Sequence, residues 1–151
     1  EDLAMRNFNE ISGGQQQKVI IARALAQEAE VFLLDEPTSN LDILHQLEVM
    51  ELIKSLVADI GVSAIISVHD LNLASTYSDK VIMLKRGKIV AAGDPFSVLT
   101  RENIASVYSV DVAVKNERGR PYIVPLRPLQ DSTISSKRVE QSECIAAVGE
   151  V

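Results

Sequence analysis

The chain has 151 residues, 46% of them apolar, and carries 15 basic against 21 acidic side chains for a net charge of −6. Such a composition can bury one modest core and excludes a disordered chain, and the acidic balance without a Lys/Arg stripe excludes nucleic acid as the main partner. The single cysteine, Cys144, excludes a disulfide framework and points to a reducing compartment.

Glu1 does not open a signal peptide, and no apolar run approaches the roughly 18 residues that a membrane-crossing helix needs. Membrane association is therefore expected only through a partner. The chain opens without Met on a polar stretch, Glu1 to Glu10, from which a truncated or processed start is expected.

Val19, Ala22 and Leu25 or Ala26 recur at helical spacing, which predicts a helix from Gln15 to Ala26, capped by Ser12 and preceded by Gly13 and Gly14. Val31 to Leu34 reads as a short strand buried on both faces, stopped by Asp35-Glu36-Pro37. Asp42 can cap a second helix running to about Ile60, with Ile43, Leu47, Met50, Ile53 and Val57 on one apolar stripe and Gly61 closing it. Ala64 to Val68 is another buried strand, with His69-Asp70 at its end and a helix from about Leu71 to Tyr77 beyond. Two strand-then-helix units in succession predict an α/β fold with a parallel sheet and helical crossovers.

Beyond them, Lys80–Leu84 and Lys88–Ala92 form a predicted hairpin across Lys85-Arg86-Gly87. Asp94 to Leu99 and Thr100 to Tyr108 read as short capped helices. Val110–Val114 and Pro121–Val124 flank the polar turn Asn116-Glu117-Arg118-Gly119 as a terminal hairpin. Pro125 and Pro128 are expected to close the ordered part, leaving 130–151 as a compositionally weak tail.

Three stretches carry chemistry. A carboxylate at the C-terminal end of a buried strand lies on the rim where α/β proteins bind ligands, so Asp35 is placed to hold Mg²⁺ and Glu36 to reach a water attacking a γ-phosphate. The alternative is a solvated acidic turn. Ser12-Gly13-Gly14-Gln15 offers free N–H groups and a hydroxyl at a helix start, either as an anion site or as a plain N-cap. His69 falls on the same rim as Asp35 and Glu36, where a neutral imidazole can contact a phosphate oxygen or the attacking water, or it is simply a packed residue. His45, in the first turn of the second helix, reads as a surface residue. Two scattered histidines and one cysteine give no zinc site.

Together these stretches resemble the ATPases of ABC transporters. Ile11 to Gln17, continuing through Ile21-Ala22-Arg23-Ala24-Leu25, is similar to their signature motif, with Ile11 where leucine is more common. Val31 to Thr38 is similar to the Walker B motif with its catalytic glutamate, Ser39-Asn40-Leu41-Asp42 to the D-loop, and His69 to the switch histidine. The resemblance spans about Asn9 to Leu129. It is narrower still toward ATPases of importers for iron chelates, haem or cobalamin, through Leu41 to Glu48, His69 to Ala74, and Pro121 to Leu126.

The resemblance implies a partial P-loop NTPase fold of the ABC type, with residues 1–93 as the C-terminal half of the ATPase domain, 94–129 as short helices and a small hairpin, and 130–151 as a tail. ATP and Mg²⁺ are the implied cofactors. Asp35 would hold the metal, Glu36 and His69 would be catalytic, and Ser12, Gly13, Gly14 and Gln15 would cap a γ-phosphate held by a second copy in a head-to-tail dimer, with Asp42 crossing the interface. Two membrane-spanning permease subunits, and indirectly an extracytoplasmic substrate-binding protein, are the implied partners at the cytoplasmic face of the membrane. The phosphate-cradling G-x-x-x-x-G-K-[ST] occurs nowhere in the sequence. The resemblance puts it upstream of the signature, together with an adenine-stacking aromatic and a coupling glutamine, so this chain is expected to be inactive alone. A soluble ABC ATPase and a non-catalytic interaction module are the competing readings.

Overall fold

A computed structural model of the chain describes residues 5–129 and 143–149. After a 3-10 turn at Phe8–Glu10, the elements are α1 (Gly13–Leu25), β1 (Val31–Asp35), α2 (Ile43–Ile60), β2 (Ser63–Val68), α3 (Leu71–Tyr77), β3 (Lys80–Lys85), β4 (Lys88–Gly93), α4 (Pro95–Val98), α5 (Arg101–Tyr108), β5 (Val110–Glu117), β6 (Arg120–Pro128) and β7 (Glu143–Gly149). Capping chemistry sets most boundaries. Ser12, Asp42, Asp70, Asp94 and Thr100 each accept a backbone N–H from the first turn of the helix they precede. Gly61 ends α2 at φ 73°, a conformation that costs a residue with a Cβ but not glycine.

Five strands form one sheet in the order β1-β2-β7-β3-β4, and β5-β6 form a separate two-stranded ribbon. β1 and β2 are parallel, as two strand–helix units require, but β7 runs antiparallel to both of its neighbours, so the sheet is mixed. The predicted weak tail thus contributes a strand at 143–149, while 130–142, 150 and 151 lie outside the described residues. β6 also overruns its predicted end, passing through Pro125 to Pro128. In a two-stranded ribbon every strand is an edge, and a proline lacking its N–H is tolerated there.

One face of the sheet is covered by α2, whose Val49, Met50 and Ile53 share a core with Phe32, Ala64, Ile66, Val68, Val81, Met83 and Ile145. The stripe read from the sequence divides: Met50 and Ile53 are buried, whereas Ile43 at 77% and Leu47 at 41% exposure face out. α1 joins the same core through Ile21, with Ala24 and Leu25 packed against it. On the other face of β1, Leu33 is 76% exposed. No helix among the described residues is long and apolar enough to cross a membrane.

The terminal ribbon docks on α3. The Asn72 side chain donates to the Ile123 carbonyl at 3.1 Å and accepts its N–H at 2.8 Å, and Ser75 Oγ donates to the Pro121 carbonyl at 2.6 Å. Asp111, at 6% exposure, is held by Arg101, whose Nε donates at 2.8 Å, and by Arg127 at 3.4 Å. The Arg101 hydrogen bond, outweighing the opposing effect of burial, keeps the Asp111 carboxyl below its ordinary range.

A carboxyl depressed in the folded chain adds stability above its unfolded pKa of about 3.9, and that contribution fades as pH falls through the lower folded value. Asp111→Asn should therefore lower the melting temperature at pH 7, with the gap to the unmodified chain closing below about pH 4. Thermal melts across pH 2.5–8, about the span of that titration, check this; a gap that is constant with pH would contradict it.

Candidate functional site

Parallel pairing puts Asp35, the last residue of β1, opposite Ser67 of β2. The Ser67 hydroxyl donates to Asp35 Oδ1 at 2.5 Å and accepts the Glu36 N–H at 2.8 Å. One side chain thereby fixes both the carboxylate of Asp35 and the backbone from which Glu36 springs. Ser67 was not singled out from the sequence; the signal was a hydroxyl inside the apolar run Ile66-Ser67-Val68, next to the strand end that meets Asp35.

Glu36 has φ 44°, a left-handed conformation that is uncommon for a residue with a side chain. From there Glu36 Oε1 lies 2.6 Å from His69 Nε2. A carboxylate only accepts, so the proton of this contact sits on Nε2. Both side chains remain accessible, 42% for Glu36 and 60% for His69, so the pair faces an open cleft. Thr38, Ser39, Asn40 and Asp70 continue the lining. Gln46 ties the loop down from α2, its Nε2 donating to the carbonyls of Thr38 at 3.3 Å and Leu41 at 3.1 Å.

A second cluster forms around the start of α1. The Ser12 Oγ accepts the Gln15 N–H at 3.4 Å while Gln15 Oε1 accepts the Ser12 N–H at 3.0 Å, a reciprocal capping box. Gly14 is buried against His45: a Cβ there would lie 2.4 Å from His45 Cδ2. His45 is a surface residue as expected, with 37% of its side chain exposed, and one edge of its ring also packs on Gly14. Its Nδ1 meets Asp42 Oδ1 at 2.8 Å, and the same oxygen accepts the His45 N–H at 2.9 Å. The backbone hydrogen bond first, and the ring contact second, hold the Asp42 carboxyl below its ordinary range. Lys18 Nζ and Glu48 Oε2, 2.7 Å apart, fasten α1 to α2 further along.

The predicted residues therefore fall into two groups. Asp35, Glu36 and His69 are together on the rim; Ser12, Gly13, Gly14, Gln15 and Asp42 gather at the start of α1. Adjacent residues of α2 serve both, since His45 packs on Gly14 and Gln46 holds the loop leaving the rim. No cluster of three or more metal-ligating side chains occurs among the described residues. A single carboxylate with a neighbouring hydroxyl still suits Mg²⁺, which keeps several waters and is shared with substrate phosphates rather than caged by protein.

Residues 1–39 match the ABC transporter family. The chain is 54% identical over 126 residues to an uncharacterized ABC transporter ATP-binding protein of Methanocaldococcus jannaschii, covering 83% of this chain and 49% of that protein. It is 42% identical to a petrobactin import ATP-binding protein of Bacillus anthracis, with coverages of 84% and 47%. Against the ferric enterobactin transport ATP-binding protein of Escherichia coli the identity is 40%, with coverages of 89% and 50%. Among solved structures, a metal-chelate type ABC transporter in an inward-facing conformation superposes with TM-score 0.75 at 31% identity, over 83% of this chain and 52% of that one. A dimeric ATP-binding cassette in a post-hydrolysis state with ADP and phosphate gives TM-score 0.55 at 37% identity, over 62% and 40%.

In sequence and in fold the chain is similar to the ATP-binding domains of ABC transporters. It also resembles ATP-binding proteins named for hemin and cobalamin import, and it spans about half the length of the three curated relatives named above.

Gly14→Ala should force the His45 ring off its seat and cost about 1–3 kcal/mol of unfolding free energy. Combining it with His45→Ala should recover much of that loss, giving a coupling that urea denaturation of the double-mutant cycle can read. Additive losses would mean that the two residues do not meet.

Proposed function

We propose that this chain forms the hydrolytic half of a nucleotide site in an ABC importer's ATPase, and that the imported compound is an iron chelate, haem or cobalamin. The observation that carries the reading is the hydrogen-bonded Glu36–His69 pair beside Asp35, with Ser67 holding the Asp35 carboxylate and the Glu36 backbone N–H at the strand-end rim. Relatives named for petrobactin, enterobactin, hemin and cobalamin import support the compound class.

Asp35 holds Mg²⁺ at the phosphates of ATP, directly or through water. The metal supplies charge neutralisation on the β- and γ-phosphates. Glu36 accepts the proton of the attacking water, and its backbone, pinned by Ser67, keeps the carboxylate at one height above the strand ends. His69 orients that carboxylate through Nε2–H and stands within the same cleft as the γ-phosphate. Ser12, Gly13, Gly14 and Gln15 present N–H groups at the positive end of α1 to the γ-phosphate held by a second copy, arranged head to tail. Asp42 then lies at the junction between copies, which suits its hold on His45, the residue seated on Gly14. Two membrane-spanning permease subunits, fed by an extracytoplasmic substrate-binding protein, take up the closing and reopening of the pair at the cytoplasmic face of the membrane. The chain by itself lacks the phosphate-cradling loop and does not hydrolyse ATP.

In a polypeptide that joins this chain to such a loop, Glu36→Gln should reduce ATP turnover by about 100-fold or more with Mg-ATP binding retained. Ser12→Arg should leave binding to each monomer intact and abolish nucleotide-driven dimerisation. Turnover assays and light scattering with Mg-ATP test both; wild-type turnover in the first variant, or normal dimerisation in the second, would overturn the corresponding role.

A further inference from the structure

The helix that leaves the rim is held from outside the sheet. The Asp70 cap of α3 directly follows His69, and its Oδ1 accepts the N–H of Asn72 at 2.7 Å and of Leu73 at 3.1 Å. A helix of seven residues has little cohesion of its own, so its place is set by what it is fastened to. The terminal ribbon supplies fastenings from its first turn to its end. Asn72 takes both backbone groups of Ile123, Ser75 donates to the Pro121 carbonyl, and the Ser78 carbonyl accepts from Arg120 at 2.8 Å. Ser75, Ser78 and Ile123 are all buried.

The ribbon is itself anchored away from α3. Asp111 of β5 is gripped by Arg101 of α5 and Arg127 of β6, and the Leu129 N–H donates to the Ser109 carbonyl at 2.8 Å, just past α5. Val112 and Ile123 share the buried core with Ile104 and Val107 of α5. Of the ribbon's bonds to α3, the Asn72 pair lies nearest in sequence to His69. A carboxamide suits that link, because it offers one acceptor and one donor to the N–H and C=O of a single residue. At the other end of the path, His69 Nε2 stands 2.6 Å from Glu36 Oε1 on a ring that is mostly exposed. Such a ring has few neighbours to hold it, so the backbone entering α3 sets where it stands, and a hydrogen bond weakens steeply when that direction shifts.

We infer that Asn72 is a positioning residue: by locking the first turn of α3 to the Ile123 backbone, it makes the terminal ribbon hold the His69 ring against Glu36. Asn72 touches no reacting atom and acts only through His69. A shift of the ribbon relative to the sheet is then felt at the rim. The consequence for hydrolysis rests on the nucleotide-site function proposed above, whereas the geometric link from ribbon to ring does not.

NMR of the full chain tests the link without nucleotide. The chain has two histidines, and His45→Gln tells their ring signals apart. At about pH 8.5, above the ordinary imidazole titration, Glu36→Ala marks where the His69 Cε1–Hε1 signal falls once the contact is lost. Asn72→Ala should move the signal most of the way there. Ser75→Ala, which cuts a buried ribbon bond farther from His69, should move it much less. A signal unmoved by Asn72→Ala, or moved equally by Ser75→Ala, would overturn the inference. In the polypeptide joined to a phosphate-cradling loop, Asn72→Ala should lower kcat by about tenfold or more with the KM for Mg-ATP unchanged. It should have no further effect on the turnover left once His69 is replaced by alanine. This second measurement decides the matter if Asn72→Ala unfolds the shorter chain. An unchanged kcat, or a full Asn72 effect in the absence of His69, would refute the positioning role and leave the proposed function intact. Wild-type turnover in Glu36→Gln would instead sink the proposed function, with the NMR result still deciding the link.

Discussion

The arrangement of the rim depends on the register between β1 and β2. Pairing Asp35 with Ser67 puts a hydroxyl where it can donate to one carboxylate and accept the N–H of the next residue. A slip by one residue would turn every side chain of one strand to the opposite face and bring Ile66 or Val68 toward Asp35. What forbids the slip is burial: Phe32, Ala64, Ile66 and Val68 must all face α2. The core beneath the sheet thus sets the geometry of polar groups at its edge.

α2 transmits that order to the second cluster. Its first turn begins at the Asp42 cap, and its next two interacting side chains point to different tasks, His45 against Gly14 and Gln46 onto the loop carbonyls. Between the rim and this helix the loop carries two left-handed residues, Glu36 and Asn40. Such backbone is kept only where surroundings over-determine it, and the Ser67 and Gln46 hydrogen bonds supply that determination. The Glu36–His69 pair and the start of α1 are therefore mechanically adjacent although no side chain belongs to both.

Much of this was legible in the residues. Caps at Ser12, Asp42, Asp94 and Thr100, the stop at Gly61, and the Arg86-Gly87 turn announce themselves locally, and α3 matches its expected bounds. Asp35, Glu36 and His69 were found because strand ends in α/β folds share a rim. Ser67 and Gln46 were missed because their roles depend on pairing register and on a loop's path, neither of which periodicity encodes. The seat of the exposed His45 ring on Gly14 is hidden from the sequence for a related reason: the space for it exists only because Gly14, on another helix, has no side chain. Residues 143–149 were read as tail because a strand's stability here lies in edges far away in sequence, not in its own composition. The outward placing of Ile43 and Leu47 shows the converse, a helical stripe wider than the surface available to cover it.

The rim of Asp35, Glu36 and His69 is proposed to face the γ-phosphate of ATP. A crystal structure of the longer polypeptide, phosphate loop included, with Mg²⁺ and a non-hydrolysable ATP analogue tests it most directly. Mg²⁺ should be bound at Asp35, directly or through a water, with the γ-phosphate in the cleft of Glu36 and His69 and Ser12 to Gln15 of the opposing copy closing over it. Phosphates bound elsewhere, with Asp35 still engaged only by Ser67 and Glu36 only by His69, would contradict it.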